Sequence, residues 1–284
     1  MAYLALAARI LLLGLEKIVI TRLARDSAVE AALLFFAVAI VFLLPFLWFV
    51  PVPVNYDFVF YTIVAGFLYS IAFALFAKSL AIGEVSLVSP LYNFNVFFLV
   101  ILTWIFLGES LTILKSVGLF VLVCGASLLT PRTNIWYSFR ALFSEKSCLY
   151  MISCSLLIAI GRTIDGFIIS NGLHPLVYAF YLYVAISFFL VLYLSITGRL
   201  PKVGQLLLRQ PGTAIFAGMI NAYSYCCLLI AFTKIEVSIA EPASMLGGIV
   251  TIIMAYFFFH EKIGRRLVAA TIMFAGVIIL FWMN

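Results

Sequence analysis

Long apolar runs separated by short polar connections make up most of this chain. A helix needs about 20 mainly apolar residues to cross the hydrocarbon core of a bilayer, and ten stretches meet or approach that length. The runs lack the two-residue alternation of a barrel strand, and backbone polar groups in lipid must bond within the protein, so the pattern predicts helices. The predicted fold class is therefore an all-α integral membrane protein with ten transmembrane helices. We place them near 2–20, 30–50, 58–78, 85–107, 112–130, 148–169, 175–197, 212–233, 236–259 and 265–283.

One stretch of the first half recurs in the second half. Residues 84–90 read EVSLVSP and residues 236–242 read EVSIAEP, and the apolar runs that follow end at Glu109 and Glu261. The offset is 152 positions at both ends, so no insertion or deletion separates the copies. The chain is therefore predicted to contain two copies of one unit.

The repeat predicts a division into three parts: a first five-helix repeat at 1–130, a linker at 131–147 and a second five-helix repeat at 148–284. Because five is odd, the second repeat enters the membrane in the opposite sense, and inverted repeats are a recurrent construction of secondary transporters. The linker combines aromatic residues at helical spacing with arginine and lysine, which suits a short helix in the membrane interface. A loop in the aromatic belt explains the same residues equally well.

The composition agrees with a membrane protein. Apolar and aromatic residues make up 66% of the chain and charged residues only 10%, which is far from a soluble domain. The net charge of +6 comes from short basic clusters between apolar runs, and a nucleic-acid-binding surface would instead show a continuous basic stripe. The expected partners are therefore the lipid bilayer and a small-molecule substrate, and no nucleic acid is expected.

Lysine and arginine are concentrated in the connections between helices one and two, five and six, seven and eight, and nine and ten. The opposite side shows only Lys115 and Lys234, together with Arg9 if it lies near that face. By the positive-inside rule, both termini are predicted to face away from the cytoplasm.

Charged residues inside the predicted spans are costly in lipid and therefore informative. Helix one contains Glu16 and Lys17, and helix six contains Arg162 and Asp165 in the corresponding part of the second repeat. Arg162 and Asp165 are three residues apart, which places both side chains on one helix face. These charges are predicted to contact substrate, with Glu16 as a candidate for proton coupling. Structural ion pairs and side chains that extend to the interface are the alternative.

A proline lies inside helix four and another inside helix nine, at Pro90 and Pro242. Proline within a helix donates no backbone hydrogen bond and displaces the carbonyl group four residues earlier, here that of Ser86 or Ser238. Both helix kinks would border a substrate path, although packing alone explains each one taken singly. Glu241 precedes the second proline; a carboxyl group buried there would bind and release protons, and otherwise it reaches the interface.

Helices three, four and eight carry polar and aromatic residues that face a predicted interior. Amphipathic rings with a few fixed polar groups suit a small organic solute. Hydrogen bonds between helices, each worth about 1 kcal/mol in a membrane, are the alternative. The substrate-binding candidates in this cluster are Tyr69, Tyr92, Asn93, Asn95, Asn221 and Tyr225.

The chain shows no motif for a phosphate-binding loop or a catalytic nucleophile. His174 and His260 stand alone at span ends, and the five cysteines lack metal or redox spacing. We expect no metal, no cofactor, no ATP-driven pump and no enzyme. The alternatives from other classes are a non-transporting membrane sensor or partner protein and, less favoured, a membrane-embedded enzyme acting on lipid-linked substrates.

The repeated stretch resembles a known transporter domain. Residues 84–90, the sequence LGESL at 107–111 and two later glycines resemble the EamA domain of the drug/metabolite transporter superfamily. The second copy at 236–242 is looser, because His260 replaces the usual glycine before the glutamate. The resemblance covers nearly the whole chain and is specific to the family but not to a substrate.

This resemblance implies a secondary transporter, often an exporter of amino acids, metabolites or drugs. It implies a cavity lined by helices one, three, four, six, eight and nine, and Lys17 resembles the lysine common in the first helix of these domains. Family members usually have both termini in the cytoplasm, whereas the charge count places them outside, and we follow the charge count. A prokaryotic member would lie in the cell inner membrane.

Taken together, the residues and the resemblance predict a secondary transporter that works by alternating access. Its substrate is expected to be a small metabolite, either amino acid-like or another amphipathic organic solute. Export and proton coupling are both compatible with the residues named above. One chain is sufficient for a complete ten-helix unit.

Overall fold

The structure, a computed structural model, describes residues 1–23, 27–50, 53, 56–82, 92, 94–128, 145–250, 253–254 and 264–281. Several predicted features lie outside these residues, namely Pro90, Asn93, the stretch 84–90, His260 with Glu261, and the linker up to residue 144. Lys17 lies in the first helix, but its side chain is also outside the description.

All regular structure in the described ranges is helical. A short 3₁₀ helix, Leu44–Phe49, extends the second helix because Pro45 interrupts its α-helical hydrogen bonding. The helices are α1 Ala2–Leu23, α2 Ala28–Leu43, α3 Phe58–Ile82, α4 Phe94–Leu107, α5 Ile113–Leu128, α6 Lys146–Ser170, α7 Pro175–Ile196, α8 Leu200–Arg209, α9 Pro211–Phe232, α10 Val237–Ser244 and α11 Gly264–Phe281.

The helices have the length and composition of membrane spans. Within the described ranges, five stretches are long and apolar enough to cross a bilayer, and four shorter apolar helices accompany them. The prediction of an all-α integral membrane protein is therefore confirmed, while the number of ten spans stays a prediction. The five long stretches are Ala28–Phe49, Phe58–Ser79, Lys146–Ser170, Pro175–Ile196 and Pro211–Phe232, and the shorter helices are Phe94–Leu107, Ile113–Gly125, Val237–Val250 and Thr271–Leu280.

The helix pairing stays the same when the two halves of the chain are exchanged. The most extensive contacts are those of α5 with α11, α3 with α6 and α1 with α9. If α6, α7, α9, α10 and α11 are matched in order to α1–α5, the exchange converts the α1–α9 pair into the α6–α3 pair and leaves α5–α11 unchanged. The α2–α9 pair likewise becomes the α7–α3 pair, and both pairs occur. The architecture is that of two repeats whose helices pack against each other.

Two glycines allow α5 and α11 to pack backbone against backbone. A Cβ atom added at Gly276 would lie 2.7 Å from the backbone nitrogen of Leu122, and one added at Gly118 would lie 3.1 Å from the carbonyl oxygen of Gly276. Small residues are what permit such close helix contacts in lipid, where no hydrophobic effect drives helices together. The two last helices of the repeats are therefore fixed to each other.

Helix α8 was not predicted from the sequence. Its residues fall in the connection between the seventh and eighth predicted spans, to which no helix was assigned. Its apolar Leu206 is buried against the protein while Lys202 faces solvent, as expected of a helix lying at a membrane surface. The side chain of Arg199, just before α8, binds the fully buried carboxylate of Glu30 on α2 through two hydrogen bonds of 2.9 and 2.8 Å. This bidentate ion pair joins the two repeats.

Helix α10 is short and contains Pro242. It ends at Ser244, a turn follows at Met245 and Leu246, and helical conformation resumes at residues 247–250. All eight residues of α10 are buried. This interrupted segment carries Glu241 into the middle of the candidate site.

Candidate functional site

Asp165 of α6 is the centre of a buried ionic network. Its side chain is fully buried and accepts four hydrogen bonds, of which Oδ1 takes one from the hydroxyl of Tyr178 at 2.6 Å. Oδ2 accepts from the hydroxyls of Tyr69 and Tyr225, both at 2.7 Å, and from Nη1 of Arg162 at 3.1 Å. A carboxylate has about four acceptor positions, so Asp165 is saturated by partners from α3, α6, α7 and α9.

Two aromatic rings contact the face of the Arg162 guanidinium, in addition to the hydrogen bond that its edge makes to Asp165. Its guanidinium carbon lies 5.5 Å from the centre of the Tyr69 ring and 5.1 Å from that of Tyr225, within range of cation–π attraction. Gly161 makes this possible, because a Cβ atom there would approach the Tyr69 ring to 2.6 Å. Asp165 therefore orients the same two rings that enclose Arg162.

Glu241 of α10 is a second carboxylate in contact with Arg162. Its Oε1 lies 3.2 Å from Nε of Arg162, while its Oε2 is buried and has no hydrogen-bond partner among the residues that the structure describes. About a tenth of each of these two side chains stays exposed, 12% for Arg162 and 10% for Glu241, whereas Asp165 has no exposure. The Arg162 guanidinium thus contacts two carboxylates. Both oxygens of Asp165 have hydrogen-bond partners, whereas Oε2 of Glu241 has a vacant acceptor position.

A second ion pair lies in α1. Nη1 of Arg9 is 3.3 Å from Oε2 of Glu16, as their spacing of two helical turns allows. Arg9 also donates to the hydroxyl of Ser224 on α9, which joins the first repeat to the second. Glu16, a candidate for proton coupling, is thus paired, with 16% of its side chain exposed.

Asn221 of α9 is occupied by contacts between helices. Its Oδ1 accepts from the hydroxyl of Tyr183 at 2.9 Å, and its Nδ2 donates to the carbonyl oxygen of Phe35 at 3.3 Å. The Tyr183 ring in turn stacks on Tyr225, with centroids 5.4 Å apart. The structure therefore places Asn221 behind the network, where it supports the tyrosine that faces Arg162.

Tyr92 lies just before α4, and Asn95 lies in the first turn of that helix. Tyr92 packs edge-on against Phe76 of α3, with ring centroids 5.9 Å apart. Its carbonyl oxygen accepts from the hydroxyl of Ser155 on α6 at 3.2 Å. Asn95 is buried, with 6% exposure. Tyr92 therefore joins α3 to α6, and α6 is the helix that carries Asp165.

Two other groups of the network had no signal in the sequence. Tyr178 and Tyr183 lie on α7 among apolar residues and are almost completely buried. Their hydroxyl groups find partners only through the packing of α7 against α6 and α9. Buried tyrosine hydroxyls usually have a hydrogen-bond partner, so a tyrosine inside a predicted span is the only hint that was present.

The described residues hold no cluster of three or more metal-ligating side chains. His174 precedes α7, and its Nδ1 accepts a hydrogen bond of 3.3 Å from the backbone nitrogen of Leu176. Partial burial lowers the pKa of His174, which favours the neutral ring that this cap requires. This histidine therefore acts as a helix cap at the end of a span.

The fold and the network define a multi-pass helical membrane protein with paired charges buried between two related halves. The sequence model of the EamA-like transporter family matches residues 1–130 and 145–282, and the chain belongs to this family. It is a family of membrane transporters, which agrees with the resemblance recognised in the repeated stretch.

Comparison with curated proteins finds no match to this sequence. Among solved structures, 28 chains match. One of them, described only as "Crystal structure of protein", is 12% identical and has a TM-score of 0.79 over 100% of this chain and 99% of that chain. At such low identity the likeness shows the fold alone.

Proposed function

We propose that this protein is a secondary transporter in which ten transmembrane helices form two inverted five-helix repeats. It moves a small metabolite, amino acid-like or another amphipathic organic solute, by alternating access. Membership of the EamA-like transporter family supports the class. The exchange symmetry of the helix pairs supports the repeat, because rocking of one repeat against the other needs equivalent contacts on both sides.

The observation that carries the proposal is the vacant acceptor on Glu241 beside Arg162. Charged groups deep in a membrane protein are rare and costly, and they usually mark ion or solute pathways. A purely structural network would satisfy all its members, as Asp165 is satisfied. Arg162 and Glu241 instead keep a small exposed area and an unfilled hydrogen-bonding position, so they are the pair that a solute or a proton reaches.

The proposed roles follow from the contacts. Arg162 binds a carboxylate or another polar group of the solute, and Glu241 binds an amine or a proton. The rings of Tyr69 and Tyr225 form the walls. Asp165 holds this arrangement and does not itself touch the solute. Lys17, Glu16, Tyr92, Asn93 and Asn95 stay further candidates for contact with the solute or the proton.

Counterflow in proteoliposomes tests the function. Vesicles loaded with one member of a panel of amino acids, amines and other small metabolites should take up the labelled compound for at least one member. Arg162→Gln should lower this uptake about tenfold or more. Arg199→Gln, which removes the arginine that pairs with the buried carboxylate of Glu30, should leave uptake per folded molecule unchanged. Absence of counterflow and of any response to a pH gradient across the whole panel would refute the transporter.

The main alternative is a sensor on the same fold. A solute that raises the thermal stability of the purified protein without crossing the membrane would favour it. Catalytic turnover of a lipid-linked compound would favour the embedded enzyme.

The direction of insertion is proposed from the charge count, with both termini outside the cytoplasm and, in a prokaryote, with the protein in the inner membrane. Labelling of a cysteine placed in the 131–147 linker from each side of sealed vesicles measures it. Labelling from the cytoplasmic side agrees with the charge count. Labelling from the other side would show that both termini face the cytoplasm.

A further inference from the structure

A further contact between the repeats lies at the end of α4 and the start of α10. The carboxylate of Glu109, just after α4, accepts hydrogen bonds from the backbone nitrogens of Val237 at 2.6 Å and Ser238 at 3.1 Å, and another from the Ser238 hydroxyl. The first N–H groups of a helix have no partner within the helix, and a negative charge there is favourable. Glu109 therefore caps a helix of the other repeat.

Lys115 of α5 completes this contact. Its Nζ lies 4.0 Å from Glu109, binds the carboxylate of Glu236 and donates to the carbonyl oxygen of Ser110 at 3.0 Å. Glu236 stands at the N-cap position of α10, but its own side chain makes no capping bond. The cap that α10 would normally form for itself is thus supplied by the first repeat.

The backbone at the end of α4 fixes the position of Glu109. Gly108 has a φ of 67°, and the backbone nitrogen of Glu109 donates to the carbonyl oxygen of Thr103 at 3.3 Å. A glycine in the left-handed region thus ends the helix, as is common at helix C-termini. The glycine before the glutamate, noted in the sequence, is therefore what turns the carboxylate toward α10.

The contact is adjacent to the ionic network. A Cβ atom added at Gly166 of α6 would lie 2.4 Å from Cγ2 of Val237 and 3.0 Å from Cδ1 of Leu107. Helices α4, α6 and α10 therefore meet at the residue that follows Asp165. Along α10, Glu241 comes one helical turn after Val237, so any displacement of the start of α10 also moves Glu241 relative to Arg162.

We propose that Glu109 is a latch between the repeats that closes access from this end of the protein. Opening at this end requires the carboxylate to leave the first turn of α10, where water can then take its place. The latch rests on the proposed function in one respect, since alternating access supplies the reason for the two repeats to separate here. The latch itself is a property of the folded chain and acts without any solute.

Another carboxylate link between the repeats, at Glu30, provides a matched control. Glu30 and Arg199 also join the two halves through a carboxylate. If α1 to α4 each cross the membrane, Glu30 lies at the opposite face from Glu109. Loss of Glu30 therefore weakens the assembly of the repeats without freeing α10.

Site-directed labelling tests the latch. Ile239 lies on α10 beside Lys115 and Glu236, in the wall of a cavity of about 20 Å³, and it is 3% exposed. The variant Ile239→Cys reports access when its reaction with a membrane-impermeant maleimide is measured in sealed vesicles, relative to the protein with its native cysteines. Glu109→Gln in that background should raise the labelling rate about tenfold or more, which corresponds to a shift from closed to open molecules, and only from one side.

Glu30→Gln in the same background should leave the rate within about twofold of that of Ile239→Cys alone. If Glu109→Gln does not accumulate as folded protein, Ser238→Ala removes one donor of the latch and should give a smaller increase on the same side. An unchanged rate in a folded Glu109→Gln or Ser238→Ala variant would overturn the latch, as would an equal increase from Glu30→Gln. The assay needs no solute, so its failure and a failure of counterflow are distinguishable.

Discussion

Arg162 touches two carboxylates that differ in almost every other respect. Asp165 is fully buried and accepts four hydrogen bonds. Within the described part of the chain, Glu241 makes one ion pair of 3.2 Å, its second oxygen has no hydrogen-bond partner, and 10% of its side chain is exposed. Both carry the same chemical group and face the same guanidinium. The difference between them therefore comes from their surroundings.

The surroundings fix Asp165 in place and leave one oxygen of Glu241 open. The three tyrosine hydroxyls around Asp165 replace the water that a carboxylate loses on burial, and they make its removal costly. Glu241 has no such shell among the described residues, and our proposal therefore assigns the binding of a proton or an amine to its free oxygen.

The largest effect is expected from Asp165→Asn. This change removes the negative charge between Arg162 and three hydroxyl groups and leaves the guanidinium without its fixed partner. Breaking a buried pair in this way costs about 3–5 kcal/mol, so thermal unfolding in detergent should show a large loss of stability or of folded yield. A variant as stable as the parent protein would contradict the role of Asp165 as the fixed partner.

A functional loss without a comparable structural loss is expected from Glu241→Gln. Arg162 keeps Asp165 and both rings, so the free energy of unfolding should fall by about 1 kcal/mol. Counterflow should fall about tenfold or more and should stop responding to a pH gradient. Glu30→Gln is the control, since it removes a buried carboxylate far from Arg162 and should lower stability without lowering uptake per folded molecule. A Glu241→Gln protein that loses stability and uptake in parallel would assign Glu241 to structure.

The smallest effect is expected from Tyr178→Phe. It deletes one of the four donors to Asp165, and hydrogen bonds between helices in a membrane are worth about 1 kcal/mol. The Tyr178 ring is not one of those that enclose Arg162, so the apparent affinity for solute should stay the same while thermal stability falls slightly. A changed affinity for solute would contradict the role of Asp165 as the fixed partner of Arg162.

The sequence predicted the parts of this site that depend on local spacing. Arg162 and Asp165 are three residues apart on one helix, and they form the ion pair that this spacing allows. Glu241 and Lys17 were candidates because charged groups inside apolar spans are costly. Tyr69, Tyr225 and Asn93 were candidates because amphipathic rings with a few fixed polar groups suit a small organic solute. The roles of all five stay predictions, and Asn93 and the side chain of Lys17 lie outside the described residues.

Contacts between distant helices were beyond the reach of the sequence pattern. Tyr178 and Tyr183 lie in an apolar span whose hydroxyl partners are set by how α7 packs on its neighbours. The partners of Glu109 include backbone N–H groups of the other repeat. Almost every residue type has such a group, so the sequence does not indicate which ones Glu109 binds. Helix α8 was missed because a ten-residue helix that contains Pro201 and Gly204 resembles a loop in hydropathy and turn signals.

The most direct test of the difference between the two acids is infrared difference spectroscopy of the reconstituted protein between alkaline and acidic pH. Protonation of a buried carboxylate produces a carboxylic acid carbonyl band. We predict that the band of the parent protein contains a component that is missing in Glu241→Gln and retained in Tyr178→Phe. A Glu241→Gln spectrum equal to that of the parent protein, or loss of the same component in Tyr178→Phe, would show that the exchangeable carboxylate is not Glu241.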